Sequence, residues 1–207
     1  GNAIFRSLKK HGYGNKEKGG LILKPGSKEL DLKNIVSVKT WFKKNKPSIV
    51  ILAAAKVGGI HANSKYPRDF LLDNLKIQTN VIETAFENDI KRFLFLGSSC
   101  IYPKFAEQPI KEDELLSGYL EDTNQFYAIA KIAGLKLCES LRIQHGFDAI
   151  SLMPTNLYGS GDNYHPSNSH VMAALISKFL NAKNNNLENV CCWGSGSPLR
   201  EFLYVDD

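Results

Sequence analysis

A phenol and an ammonium stand four residues apart in Tyr127-Ala128-Ile129-Ala130-Lys131. On a helix that spacing puts both side chains on one face. A nearby positive charge favours the phenolate, so Lys131 is expected to lower the Tyr127 pKa below its usual ~10. A phenol tuned in this way can hand a proton to a carbonyl oxygen as a hydride reaches the carbon. Gly97-Ser98-Ser99-Cys100 supplies a serine hydroxyl that can hydrogen-bond the same oxygen. Each residue also has an ordinary use. Tyr and Lys can form a solvated helical pair, and Ser98 can cap a turn.

Alternating apolar segments say which elements carry these groups. Helical spacing is read at 1–12, with Ala3, Ile4 and Leu8 inward, and at 34–45, with Ile35, Val38 and Phe42 on one stripe. Residues 13–26 read as a Gly- and Lys-rich loop around a short strand at 21–23. The continuous apolar run at 48–53 suits a parallel strand covered on both faces. A helix at 70–89, a strand at 92–96 and a helix at 124–145 follow, the last closed by Gly146. A strand at 148–153 stops at Pro154. Beyond it come a polar loop at 159–169, a helix at 170–182 and a short strand at 190–193. Strands alternating with helices give an α/β class with a doubly wound parallel sheet. Ligands of such sheets bind beyond the carboxyl ends of the strands. Ser98, Pro154-Thr155-Asn156 and the start of the Tyr127 helix all fall there.

Bulk properties narrow the function classes. The chain has 207 residues, 43% of them hydrophobic, enough for a large core. No apolar run approaches the ~20 residues of a membrane helix. The N-terminal Gly1-Asn2-Ala3-Ile4-Phe5-Arg6 has no signal-peptide layout. A cytoplasmic protein without a membrane partner is expected. The net charge of +5 comes from lysine clusters without interleaved aromatics, so no nucleic-acid partner is expected. None of Cys100, Cys138, Cys191 and Cys192 forms a Cys-x-x-Cys pair, and no metal site is expected.

Longer blocks carry a resemblance. Ser98 with Tyr127-x-x-x-Lys131 resembles the extended short-chain dehydrogenase/reductase superfamily. Ala53-Ala54-Ala55-Lys56-Val57-Gly58-Gly59-Ile60, Leu96-Gly97-Ser98-Ser99-Cys100-Ile101-Tyr102-Pro103 and Met153-Pro154-Thr155-Asn156-Leu157-Tyr158-Gly159 are similar to the GDP-L-fucose synthase family within it. So are His165-Pro166-Ser167-Asn168-Ser169-His170 and Trp193-Gly194-Ser195-Gly196, through Arg200-Glu201-Phe202.

The resemblance implies a bifunctional enzyme that converts GDP-4-keto-6-deoxy-D-mannose to GDP-L-fucose with NADPH, by epimerisation at carbons three and five and reduction of the four-keto group. It makes Ser98, Tyr127 and Lys131 the reductive trio and Cys100 and His170 the acid/base pair. It lines the cofactor with Gly1, Asp31, Leu32, Ala53, Ala54, Ala55, Leu96, Gly97, Ser98, Ser99, Tyr127, Lys131, Pro154, Thr155, Asn156, Leu157 and His170. It sets Lys178, Trp193 and Arg200 against the GDP-sugar. It further implies a Rossmann-like dinucleotide-binding domain over 1–158, part of a nucleotide-sugar domain over 159–207, and a homodimer paired through the helices at 70–89 and 124–145.

Departures from that family are visible too. Gly1 stands where the last glycine of a Gly-rich phosphate turn is expected, so the chain reads as a fragment lacking the first strand and that turn. Ser27 stands where a basic residue for the extra phosphate of NADPH is expected, with Lys24 and Lys28 as the nearest substitutes. The 13–20 stretch is longer and more charged than the family's. Two alternatives share the same residues: another NAD(P)-dependent nucleotide-sugar epimerase or dehydratase, and a non-catalytic module that only binds the nucleotide-sugar.

Overall fold

In a computed structural model, which describes residues 1–18, 20–165 and 169–207, three parallel strands lie side by side in the order β1-β2-β3. They are β1 (Ile49–Leu52), β2 (Arg92–Leu96) and β3 (Ala149–Leu152). Leu52 pairs with Phe95, and Leu96 pairs with Leu152. Parallel neighbours need long crossovers. Two helices make the first, α3 (Ile60–Lys65) and α4 (Pro67–Glu87), and α5 (Gln125–His145) makes the second. This is the expected Rossmann-like α/β architecture.

One core forms where the alternating side chains of the strands meet the helices. Phe93, Phe95 and Ala149 join Val81, Ile82 and Ala85 of α4, Cys138 of α5, and Val38 and Phe42 of α2 (Ile35–Asn45). Local chemistry fixes the helix ends. The Asn34 side chain accepts from the Val36 and Ser37 amides at the start of α2. Gly146 takes φ 71° at the end of α5, where its amide donates to the Arg142 carbonyl.

α4 and α5 cross closely at Gly134. A Cβ there would lie 2.6 Å from Phe95 Cζ and 2.8 Å from Gln78 Cδ. Gln78 Nε2 in turn donates to the Ala130 carbonyl, tying the helices together. Gly134→Ala is therefore expected to destabilise the protein. Overpacking costs ~1–3 kcal/mol, more than the ~1 kcal/mol that alanine gains over glycine in a helix. Urea unfolding of the full-length variant measures the difference.

The chain begins with α1 (Asn2–Lys10) and continues after β3 through β4 (Asn156–Tyr158), α6 (Val171–Asn184) and β5 (Phe202–Tyr204). Two expected strands are absent. Residues 21–23 and 190–193 run without a ladder partner among the described residues. A strand persists only through hydrogen bonds to a neighbour, and the Cys191 carbonyl instead accepts from Lys178 Nζ. Two short strands appear that periodicity could not announce. β4 and β5 pair in parallel from Asn156↔Phe202 to Tyr158↔Tyr204. Three residues are too few to show alternation. The expected division at 158/159 falls at the end of β4, and β5 on its far side completes that pair. No helix among the described residues is long and apolar enough to cross a membrane.

Candidate active site

The carboxyl edge of the sheet is built by two segments that stay paired after their strands end. The Gly97 amide donates to the Leu152 carbonyl at 2.8 Å, and the Ser99 amide donates to the Pro154 carbonyl at 3.3 Å. Gly97 is buried against Met153, whose sulfur would lie 2.9 Å from an added Cβ. Ser98 then leaves β2 in extended conformation and precedes a single 3-10 turn, Ser99–Ile101. Ile101 plugs into the interior and leaves Cys100 half-buried at the rim.

α5 brings its first turn to the same place. Tyr127 lies one turn before Lys131, and the Lys131 ammonium sits 5.8 Å from the centre of the Tyr127 ring. Lys131 is 4% exposed and donates to the Leu96 carbonyl at 2.7 Å, so it spans from helix to strand end. Ser98 faces both the Cys100 thiol and the Tyr127 phenol and favours the ionised form of each. Four of the five expected catalytic residues thus converge.

Their electrostatics differ from the expectation. Burial pushes the Tyr127 phenol above its ordinary value, and the nearby Cys100 adds to this, while the Ser98 hydrogen bond opposes it. Burial likewise pushes the Cys100 thiol up, against the Ser98 hydrogen bond and the Lys131 charge. Lys131 falls to about 8, again through burial. Desolvation outweighs the one-turn charge pairing that the spacing suggests. At neutral pH the trio is therefore a neutral phenol, a neutral thiol and an ammonium. A neutral phenol is the form that a proton donor needs.

His170 stands apart. It occupies the N-cap position of α6 with an exposed side chain, and its carbonyl accepts from the Ala174 amide. Among the described residues no hydrogen bond joins it to Cys100, Ser98 or Tyr127. Residues 166–168 of the same sequence block lie outside the described residues. The carbonyl of Ser169, the residue before His170, packs against Gly59, which precedes α3.

The remaining expected positions divide by location. Ala53, Ala54 and Ala55 follow β1 with short side chains and leave the sheet edge open. Thr155 and Asn156 both direct their side chains to the Glu201 carbonyl, at 2.8 and 2.9 Å, and Leu157 is half-exposed in β4. Asp31 forms a turn onto the Lys33 amide, and the Leu32 carbonyl accepts from Asn80 of α4. Gly1 is exposed at the start of α1. The Lys178 ammonium lies 4.6 Å over the Trp193 ring, so these two form one unit, with Trp193 77% exposed. Arg200 is exposed and bonded to the neighbouring Leu199 carbonyl, next to the Glu201 segment that Thr155 and Asn156 hold.

Lys131 suits a dinucleotide at this edge. Lys131 is a buried cation with three donors; one goes to Leu96, and no carboxylate pairs with it among the described residues. Such a group calls for a hydroxyl-rich or electron-rich ligand. No set of three or more His, Cys, Asp or Glu side chains is placed to hold a metal among the described residues.

Two residues that pattern reading passed over also shape the site. Phe70 sets its ring edge-on to Tyr127 at 6.4 Å. Asn74, 2% exposed, accepts from the Lys56 amide at 2.8 Å and donates to the Lys56 carbonyl at 3.0 Å, fixing the turn after Ala53–Ala55. The signal was an amide within the helical stripe Phe70, Asn74, Gln78.

Known proteins resemble this chain in sequence and in fold. The GDP-L-fucose synthase 1 of Arabidopsis thaliana is 60% identical over 207 residues, which is all of this chain and 62% of the relative. The GDP-L-fucose synthase of Escherichia coli (strain K12) is 53% identical, over all of this chain and 63% of the relative. The chain therefore spans about three fifths of the length of these curated relatives. A solved GDP-L-fucose synthetase from Naegleria fowleri bound to NADP superposes with a TM-score of 0.85 at 32% identity, over all of this chain and 66% of that one. The NAD dependent epimerase/dehydratase family profile matches residues 3–207. With its parallel sheet, its strand-end serine and its Tyr127–Lys131 pair on α5, the chain belongs to the NAD dependent epimerase/dehydratase family.

Proposed function

We propose that this chain carries the catalytic core of an epimerase-reductase that converts GDP-4-keto-6-deoxy-D-mannose to GDP-L-fucose. The observation that carries the reading is a thiol and a phenol that face one serine, beside a buried ammonium with no carboxylate partner among the described residues. Ser98 and Tyr127 hydrogen-bond the four-keto oxygen and hold the negative charge of the enolate. Cys100 and His170 take a proton from the carbons beside the ketone and return one on the opposite face. Tyr127 then donates its proton to the oxygen while Lys131 steadies the developing charge. NADPH, when bound, supplies the hydride for carbon four.

NADPH over NADH is supported by Lys24, which Asn2 holds at the start of α1 through a 2.8 Å hydrogen bond. That ammonium offers a partner for an extra phosphate. The Lys178–Trp193 unit and Arg200 supply a cation, a ring face and a planar fork for the GDP moiety.

The test is incubation of the full-length protein with the keto-sugar and NADPH, following the absorbance of the reduced nicotinamide and the configuration of the product. Oxidation with formation of GDP-L-fucose is expected. Absence of oxidation overturns the reading. The exposed side chain of His170, with no hydrogen bond to Cys100 among the described residues, favours one second reading, a reductase of the same keto group without epimerisation. Its product would keep the configuration of the substrate at carbons three and five.

A further inference from the structure

The turn Gly58-Gly59 is the piece of backbone that links the two chemistries of the site. On one side, a Cβ at Gly58 would lie 3.1 Å from Phe70 Cζ, and Phe70 packs edge-on against Tyr127. On the other side, a Cβ at Gly59 would lie 2.8 Å from the carbonyl oxygen of Ser169, the residue before His170. The turn is thus wedged between the neighbour of the phenol and the neighbour of the imidazole. One side chain holds its shape. Asn63, 7% exposed in α3, donates through Nδ2 to the Gly58 carbonyl at 2.7 Å and to the Gly59 carbonyl at 3.1 Å. Its own amide N–H also donates to the Gly59 carbonyl at 3.1 Å. Its Oδ1 is buried with no partner among the described residues, so the side-chain hold comes from the NH₂ alone.

We infer that Asn63 is a positioning residue for the epimerisation, setting where His170 stands relative to Tyr127 through the Gly58-Gly59 turn. The inference rests on the function proposed above. A sugar whose keto oxygen is fixed by Ser98 and Tyr127 presents its neighbouring carbons at a fixed distance. A base on the far side of the turn serves those carbons only if the turn keeps its shape. Displacement of a reacting group by ~1 Å costs on the order of 100-fold in rate. Tyr127 is held by α5, and Phe70 beside it by α4, and Asn63 hydrogen-bonds neither helix, so the reductive side is spared.

The experiment measures deuterium uptake at carbons three and five of the keto-sugar in heavy water without cofactor. It is run alongside NADPH affinity by fluorescence titration and thermal unfolding, on full-length protein. Asn63→Ala is expected to slow uptake by about 10- to 100-fold with NADPH affinity unchanged. Gly59→Ala, which presses a methyl onto the Ser169 carbonyl, is expected to reproduce that split from the opposite side of the contact. Uptake at the wild-type rate in both variants overturns the inference. So does a parallel loss of uptake, affinity and thermal stability, which would mark a merely structural role. A wild-type protein with no uptake removes the proposed epimerase itself, and the inference with it.

Discussion

Tyr127→Phe is expected to lower NADPH oxidation by the full-length protein about 10²- to 10⁴-fold, the usual worth of a positioned proton donor. The substitution removes one oxygen and keeps the ring that packs edge-on against Phe70. Folding and cofactor affinity should therefore persist, and the loss should appear in the turnover rate. The pH profile gives an independent check. Burial holds the phenol protonated well into the alkaline range, so it is not the first group to titrate. Lys131 is, at about 8. As pH rises through that value the ammonium loses its proton, and with it the charge that steadies the oxygen as it becomes an alkoxide. Oxidation of NADPH should accordingly fall on the alkaline side near about 8. Lys131→Met should be slow throughout and lack that limb. A Tyr127→Phe protein with undiminished turnover would remove the phenol from the mechanism.

Cys100→Ser is expected to suppress deuterium uptake at carbons three and five by a similar about 10²- to 10⁴-fold and to leave reduction in place. The two side chains are close in size, and a serine hydroxyl can keep the hydrogen bond to Ser98. What it lacks is acidity, because an alcohol gives up its proton far less readily than a thiol. The Lys131 charge partly offsets the burial of Cys100 and so favours its thiolate, and no such help brings an alcohol into range. Reduction then acts on an unepimerised ketone, and the product should retain the configuration of the substrate. Mass spectrometry of the sugar after turnover in heavy water reads both effects at once. Full uptake in the variant would take Cys100 out of the acid/base pair.

Much of the scaffold was legible in the amino-acid order, and for local reasons. The run at 92–96 forms β2 over the same residues, because the apolar Phe93-Leu94-Phe95-Leu96 between charged Arg92 and Gly97 is covered when it lies inside the sheet. The helix read at 124–145 forms as α5, which begins after Asn124 and is stopped by Gly146. The four-residue spacing placed Tyr127 and Lys131 on one face, and the strand end placed Ser98 and Cys100 at the sheet edge.

Other features depended on partners distant in sequence. Residues 21–23 and 190–193 have strand-like composition, yet a strand is a property of a pair, and no pairing partner lies beside them among the described residues. β4 and β5 became strands because Glu201 is held by Thr155 and Asn156 across 45 or more positions. The roles of Asn63 and Asn74 were equally hidden, since each acts on a backbone turn through a buried amide.

For Tyr127 and Lys131 the division is sharpest. The sequence alone determined which groups could react, since residue type and helical period decide that Tyr127 and Lys131 share a face. Only the tertiary structure decided their protonation. Spacing brings a charge near a phenol, but the walls of Phe70, Phe95 and Leu96 belong to other elements, and they remove the water. Desolvation grows with everything packed around a group, whereas what opposes it at the phenol comes from one neighbour, Ser98. Burial therefore wins, raising the phenol and lowering the ammonium.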